Sequence, residues 1–238
     1  MSGHSKWATI HRQKEAKDAK RGSNFTKLAA AITVAVREGG GVVDPGQNFK
    51  LRLAIDRARQ FNMPKDNISR AIEKGAGGGG SDELAEVVYE GFAPGGVAVM
   101  LEAFTDNKLR TAQKVREVFD KNGGTLGGSG AVKYLFSQVG EMRLVSSGLG
   151  DEDELKMIDL GVVDIERGEG EWIVYCEKER TYEIKDEMEK MGYQITNTEL
   201  VMRPINPIEV NDPELKKKVE NLLDKLSDLE DVHKVWTN

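Results

Sequence analysis

The sequence has a single cysteine and no long apolar segment. Cys176 can form neither an intramolecular disulfide nor a cysteine-based zinc cluster, which favours a reducing compartment. No stretch approaches about 18 uninterrupted apolar residues, so no membrane-spanning helix is expected. The N-terminal segment lacks the apolar core of a secretory signal, and Glu15 and Asp18 argue against a basic targeting presequence. We therefore expect a cytoplasmic protein.

Residues that commonly carry catalysis or bind metals are scarce. The histidines His4, His11 and His233 have no rigid spacing suited to a metal site. Cys176 follows the apolar run Trp172–Tyr175 in a segment without histidine, so we interpret it as a buried strand residue rather than a nucleophile. The sequence therefore predicts no enzymatic activity, no catalytic residue, no metal and no cofactor.

The glycine-rich segment Gly123–Gly130 supports an alternative hypothesis. A dinucleotide-binding loop follows a strand and opens a helix, whereas this segment follows a predicted helix and precedes a predicted strand. Turn conformations explain its glycines, but its backbone N–H groups could also bind a phosphate. The alternatives to a regulator are therefore an uncharacterised enzyme with a phosphate-binding loop in an interdomain cleft, or a protein-binding adaptor.

The net charge of −6 is the sum of a basic part and an acidic part. Residues 1–80 hold 15 Lys and Arg against 7 Asp and Glu, a net charge of +8, and the remainder holds 19 against 33, a net charge of −14. Residues 138–199 alone hold 7 against 17, a net charge of −10. The densest basic segment is residues 1–37. This asymmetry indicates a polyanionic partner for the basic part, although a helical domain with a solvated basic face would share the composition.

Hydrophobic periodicity changes from helical to strand-like across the glycine run Gly77–Gly80. Before it, three stripes with a period near 3.6 predict a small helical bundle. The stripes are Phe25, Leu28, Ala29, Ile32 and Val36; Leu51, Ala54, Ile55 and Ala58; and Ile68, Ala71 and Ile72. After it, the segments GVAVMLEAF, VKYLF, TELVMRPI and VHKVWTN, with two helices between them, predict a split ferredoxin-like unit.

The segment between VKYLF and TELVMRPI repeats the same plan. It contains EMRLVS, a helix at DEDELKMIDL, a hairpin of VVDIE and EWIVYC, and a helix at TYEIKDEMEKMG. We therefore predict an α+β protein with an N-terminal helical bundle followed by two ferredoxin-like βαββαβ domains, one inserted in the other. The predicted domains are residues 1–80, a basic helical domain with an N-terminal arm and a glycine linker; 81–137 plus 200–238, a split α/β domain; and 138–199, an inserted acidic α/β domain.

Two basic segments are candidates for nucleic-acid binding. In the N-terminal arm, lysines and arginines can neutralise phosphates, and Trp7 could either stack on an unpaired base or anchor the arm to the bundle. In TDNKLRTAQKVRE, the start of a predicted helix favours anions, although Thr105, Asp106 and Asn107 could serve only as cap and turn. The predicted nucleic-acid-binding residues are His4, Lys6, Trp7, His11, Arg12, Lys14, Lys17, Lys20, Arg21, Lys27, Arg37, Asn107, Lys108, Arg110 and Arg116.

Several longer motifs occur in order along the chain: GHSKW at Gly3–Trp7, DAKRG at Asp18–Gly22, FTKL at Phe25–Leu28, REGGG at Arg37–Gly41, LRLAIDRAR, NMPKDNI, YEGFAPGGVAV, TDNKLRT, GGTLG and the C-terminal VWTN. Together they make the sequence resemble the YebC/PmpR family. The resemblance implies a three-domain cytoplasmic protein with a helical N-terminal domain, two α/β domains and no established enzymatic activity. It also implies a role either as a DNA-binding transcriptional regulator or as a translation activator that acts on the ribosome and relieves stalling at proline-rich stretches.

The residues themselves favour RNA over DNA. No predicted helix presents the Asn, Gln or Arg side chains typical of a helix-turn-helix recognition helix. A basic arm with a tryptophan suits phosphates, stacking and shape, which is the common mode of RNA recognition. The predicted partners are ribosomal RNA or DNA, with ribosomal proteins as a further possibility for the acidic part, and neither a membrane nor an obligate small molecule is expected.

Overall fold

The structure is a computed structural model and describes residues 21–77, 84–168 and 170–238. Its elements in chain order are α1 (Arg21–Glu38), α2 (Phe49–Gln60), α3 (Lys65–Gly75), β1 (Ala85–Phe92), β2 (Ala98–Thr105), α4 (Lys108–Lys121), β3 (Thr125–Leu126), β4 (Phe136–Val145), α5 (Asp151–Asp159), β5 (Val162–Arg167), β6 (Glu171–Glu177), α6 (Thr181–Lys190), β7 (Ile195–Pro204), α7 (Pro213–Ser227) and β8 (Val232–Thr237). They divide into two compact units, the described part of Met1–Phe136 with Pro204–Asn238, and Ser137–Arg203.

The helices α1, α2 and α3 of the first unit form the predicted bundle. Every residue of the three predicted stripes lies in or against one hydrophobic cluster, which confirms the helical periodicity. Asn48 begins α2, because its side chain accepts a hydrogen bond from Leu51 N and donates one to Ala35 O near the end of α1. Gly75 permits the close approach of α3 to α1, since a Cβ there would lie 2.7 Å from Thr33 O.

The first sheet has the strand order β3-β1-β2-β8 and packs against α4 and α7. Alternate residues of β2, namely Val99, Leu101 and Ala103, are buried against these helices. Phe119 of α4 and Leu222 of α7 fill the same core and are fully buried. Burying a side chain of this size contributes about 1.5–3 kcal/mol, so this core provides much of the stability of the first unit.

The strands that build the first sheet differ from those expected. The segment VKYLF is not a strand of this sheet, because Lys133–Leu135 form a 3-10 turn and β4 belongs to the second sheet. The backbone N–H groups of Val132 and Lys133 donate to the side chain of Glu90 instead of to a neighbouring strand. The segment TELVMRPI is a strand, but as β7 it also belongs to the second sheet.

The missing positions of the first sheet are filled by two strands that the sequence pattern did not identify. The eight-residue β1 pairs antiparallel with β2 over its whole length, and its other edge pairs with the two-residue β3. Acidic residues and glycine have low strand propensity, and Glu86, Glu90 and Gly91 all lie in β1. Its strand character therefore depends on its tertiary partners.

The second unit has the βαββαβ arrangement predicted for this part of the chain. Its strand order is β5-β6-β4-β7, with β6 antiparallel to both β4 and β5. The core between this sheet and its helices includes Met142, Trp172 and Val174 from the strands, with Met157 and Ile184 from α5 and α6.

The predicted α+β class with N-terminal helices is confirmed, but the βαββαβ order holds only for the second unit, since the elements of the first sheet follow the order β1-β2-α4-β3-α7-β8. The chain is an α+β protein with N-terminal helices and two four-stranded antiparallel sheets. None of the helices in the described ranges has the length and apolar character needed to cross a membrane.

Candidate nucleic-acid interface

Most of the predicted arm residues lie outside the described part of the chain. These are His4, Lys6, Trp7, His11, Arg12, Lys14, Lys17 and Lys20, and the side chain of Arg21 is likewise not described. The other predicted residues are distributed over two helices of the first unit. Lys27 and Arg37 lie on α1, while Asn107 immediately precedes α4, which carries Lys108, Arg110 and Arg116.

An open groove of about 780 Å³ lies in the first unit between the helical bundle and the first sheet. Helices α1 and α3 contribute residues from one side, and the start of α4 and the segment before β8 contribute residues from the other. Its apolar lining includes Phe25 and Phe104, and the Phe104 ring packs against the His233 ring with centroids 4.8 Å apart. The groove is lined by the cations Lys27, Arg70, Lys74, Arg110 and Lys114 and by the carboxylates Asp106, Glu230 and Asp231.

Three of these cations are available to bind an external anion. Arg70, Lys74 and Lys114 are exposed, and none forms an ion pair with any residue of the described ranges. Arg70 and Lys74 are one turn apart on α3, so they present their charges side by side. The site prediction omitted both, although their four-residue spacing on a predicted helix was a usable signal.

Lys27 and Arg110 are instead engaged within the protein. The Lys27 ammonium donates to Ser227 O over 2.7 Å, which satisfies a carbonyl at the C-terminus of α7. Arg110 forms an ion pair with Asp106 at 2.6 Å and lies 3.8 Å from Asp231. Both side chains therefore hold elements of the first unit together.

The start of α4 has internal partners for its polar groups. The Asn107 side chain caps the helix by accepting from Arg110 N, and Asn107 N donates to the Thr105 hydroxyl. The hydroxyl of Thr111 lies 2.7 Å from Asp231 and 2.8 Å from the Thr105 hydroxyl. With two carboxylates beside it, this helix start is a structural junction and a poor anion site, whereas Lys108 and Arg116 remain exposed.

The glycine-rich loop already binds an anion that belongs to the chain. The carboxylate of buried Glu90 accepts hydrogen bonds from the backbone N–H groups of Gly130, Val132 and Lys133 at 2.7–2.8 Å. These donors are the kind that a phosphate-binding loop would present. Glu90 occupies them, which argues against the phosphate-binding hypothesis for this loop.

The described residues contain no group of three or more His, Cys, Asp or Glu side chains arranged to hold a metal ion. Cys176 is fully buried within the core of the second unit, and burial raises the pKa of its thiol. A buried, protonated thiol is a poor nucleophile. Its position agrees with the interpretation of Cys176 as a core residue.

Cys176 is therefore expected to be unreactive in the folded protein. A disulfide reagent such as dithionitrobenzoate should modify about one thiol per chain after denaturation in guanidinium and almost none before it, because attack needs an exposed thiolate. The released chromophore measures the reaction directly. Rapid modification under native conditions would contradict the buried position.

Comparisons with known proteins cover the whole described chain. Family models match residues 5–78, described as TACO1/YebC protein N-terminal domain, and residues 84–238, described as TACO1/YebC second and third domain. A probable transcriptional regulatory protein from Caldanaerobacter subterraneus subsp. tengcongensis is 46% identical over 240 residues, which cover 100% of this chain and 98% of the relative. One from Bacillus licheniformis is 47% identical over 241 residues, which cover 100% and 99%.

A solved structure has the same fold. The crystal structure of a conserved hypothetical protein from Aquifex aeolicus superimposes with a TM-score of 0.84 at 44% sequence identity and covers 93% of this chain and 90% of that one. The sequence similarity therefore extends across both compact units.

Proposed function

Because this chain belongs to the TACO1/YebC family, we propose that it is a regulator of gene expression, without catalytic activity, that binds nucleic acid through its basic N-terminal part. The family membership confirms the resemblance to YebC/PmpR proteins found in the sequence. Relatives that match over their full length are named probable transcriptional regulatory proteins, which supports a regulatory role. The net charge of +8 over residues 1–80 supports a polyanionic partner.

The observation that carries this proposal is a set of three exposed cations that line one groove and form no ion pair with any residue of the described ranges, namely Arg70, Lys74 and Lys114. Surface lysines and arginines in proteins with many carboxylates commonly form ion pairs, as Lys121 does with Glu117 on α4. Exposed cations at a groove that form no ion pair within the described part of the chain are suited to phosphates. Together with the predicted arm residues, they form the proposed interface.

We favour RNA, as single strands or as part of a ribosome, over duplex DNA. A recognition helix must enter the major groove of DNA, which is about 12 Å wide, with its polar face outward. The polar face of α3 that carries Asn67, Arg70 and Lys74 instead lines a groove of its own unit. A concave basic site of this kind suits flexible strands better than a rigid duplex.

The proposal is tested by measuring binding of a fluorescent single-stranded RNA and a duplex DNA of equal length in a salt series. For single strands, the logarithm of the affinity should fall with the logarithm of the salt concentration with a slope of about −0.7 per phosphate contacted. Replacing all three free cations by glutamine should weaken binding and reduce that slope by about 2, since three contacts would be lost. Deleting residues 2–20, which leaves α1 whole, should weaken binding further.

A matched control removes the same charge elsewhere in the first unit. Lys217, Lys218 and Lys225 are exposed on α7 and do not line the groove, so their triple glutamine variant should keep most of the affinity and slope. Equal losses in both triple variants would indicate a response to net charge alone and would contradict an interface at the groove. Tighter binding of duplex DNA than of RNA would favour transcriptional over translational regulation.

A further inference from the structure

The groove of the first unit is lined by charges of both signs. Arg110 contacts both Asp106 and Asp231, so these carboxylates lie together at the start of α4, and Glu230 precedes Asp231 in the chain. Lys114 lies further along the same helix, about 9 Å beyond its first residue Lys108 at 1.5 Å per residue.

The lining of the groove also includes aromatic rings. Phe25 and His233 are half-buried, and the His233 ring makes a tilted contact with the buried ring of Phe104. Exposed aromatic rings offer stacking surfaces to nucleobases in proteins that bind single strands. The groove thus combines cations, carboxylates and aromatic rings.

Glu230 is the carboxylate best placed to bind an external group. It is exposed, and it forms no hydrogen bond or ion pair with any residue in the described ranges. Asp231 and Asp106 are in contact with Thr111 and Arg110 respectively. A free carboxylate in a site for an anionic ligand repels that ligand unless the ligand presents a hydrogen-bond donor to it.

The ligand that meets these requirements has an anionic end, a flat apolar body and a donor edge. We propose that the groove binds one unpaired nucleotide of the bound RNA whose base carries an exocyclic amino group, with the phosphate at Arg70, Lys74 and Lys114 and the amino group donating to Glu230. This inference rests on the proposed function and adds a base preference to it. Carboxylates accept from the amino group of cytosine, whereas uracil presents a carbonyl oxygen at that position, so cytosine is favoured over uracil.

The test compares labelled pentamers of cytidine and of uridine, which have the same charge and ring size, by fluorescence anisotropy with the full-length protein at one salt concentration. The cytidine pentamer should bind at least about fivefold more tightly, the lower limit for a good contact between a carboxylate and a base. Glu230→Gln should reduce that ratio to near one, because the carboxamide can donate to the uracil carbonyl as well as accept from cytosine. Glu209→Gln, at an exposed position outside the groove, should leave the ratio unchanged.

A second measurement locates the base. Photo-crosslinking with 5-iodocytidine in the pentamer, followed by mass spectrometry, should label residues of the groove such as Phe25, Phe104 or His233. Equal affinity for the two pentamers, an unchanged ratio in Glu230→Gln, or crosslinks confined to other surfaces would each overturn the nucleotide site. If the salt slope still responds to the three cations in that case, the proposed function stands without the site; if the pentamers, longer RNA and duplex DNA all fail to bind, the proposed function fails as well.

Discussion

Replacing Glu90 by alanine is expected to destabilise the first unit by about 3–5 kcal/mol, because it leaves three buried or partly buried N–H groups without their acceptor. Glu90 is only 4% exposed, and its two carboxylate oxygens together accept from Gly130, Val132 and Lys133. Its own backbone oxygen also accepts from Gly127 N. One residue of β1 therefore holds the backbone of residues 127–133 in place.

Glu90→Gln should be less harmful and should reveal the role of the charge. The carboxamide keeps one acceptor oxygen but turns an NH₂ group toward an N–H donor, so a loss of about 2–3 kcal/mol is expected. Urea unfolding gives the free energies, and amide hydrogen exchange at Gly130, Val132 and Lys133 should accelerate more than in the α4 core. Glu117→Gln, which breaks an exposed pair with Lys121, should leave the stability close to that of the wild type.

The effect of Glu90 should also depend on pH. Burial alone would raise the pKa of its carboxyl, but the three backbone hydrogen bonds, with Lys133 nearby, hold that pKa below its usual value. A carboxyl with a lowered pKa stabilises the fold above the pKa of the unfolded chain, about 4.3, and loses this contribution as the pH falls through the folded value. The gap between wild type and Glu90→Gln should therefore narrow below about pH 4, and a gap that stays constant down to pH 2 would contradict the role of the ionised carboxylate.

The Glu90 contacts also show which parts of the fold a local sequence pattern does not predict. The helical stripes of α1 to α3 and the strands of the second sheet were predictable because each buries one face with a regular period. β1 was not: Ala85, Val87 and Tyr89 do alternate with Glu86 and Glu90, but Val88 and Gly91 interrupt the pattern, and acidic residues and glycine have low strand propensity. The Glu90 carboxylate accepts hydrogen bonds from a turn about 40 residues further along the chain. A local sequence pattern does not predict a contact between residues so far apart.

The candidate site likewise has features that the sequence predicts and features that it does not. Basic residues near the N-terminus and on α4 could be found from composition, but composition does not distinguish a free cation from one that holds the protein together. Lys27 binds a carbonyl 200 residues away, and Arg110 is paired with carboxylates, whereas Arg70 and Lys74 form no ion pair with the residues that the structure describes. That distinction depends on the packing of the bundle against the first sheet, which brings residues far apart in the chain to one groove.

Glu102→Gln is expected to make the protein more stable at pH 8 than the wild type, in contrast to the loss at Glu90. Glu102 lies on β2 between β1 and β8, directly opposite Lys234 in the β2–β8 register. Burial raises the pKa of its carboxyl to about 7; Lys234 and Lys50 lower it, while Glu86 and Glu38 raise it further. Lys50 also bonds directly to Glu38 and Glu86, at 2.5 and 3.1 Å, so three carboxylates share two ammonium groups where α1 and α2 meet the sheet.

The sign of the effect follows from the direction of the pKa shift. Because the folded protein holds the Glu102 proton up to about pH 7 while the unfolded chain releases it near pH 4.3, the folded state binds more protons between these values. The stability of the wild type must then fall as the pH rises from about 4.3 to about 7. At pH 8 the Glu102 carboxylate is charged, which destabilises the folded state. At about 1.4 kcal/mol per pKa unit, the stability of Glu102→Gln relative to wild type should rise by about 2–3 kcal/mol between pH 4.5 and pH 8.

Urea unfolding of both proteins across that pH range measures the difference, and the change with pH is the informative quantity, since any constant effect of the amide cancels. The free energy of unfolding of Glu209→Gln, a change at an exposed position, should vary with pH in the same way as that of the wild type. A Glu102→Gln difference that stays flat from pH 4.5 to pH 8 would mean that Glu102 is already ionised at the lower pH, with Lys234 and Lys50 neutralising it. A rise in this stability difference confined to the interval from pH 4.5 to pH 7 would instead show that Glu102 itself holds the proton in the folded protein. Glu102 would then be a neutral carboxyl group where the basic helical bundle meets the sheet.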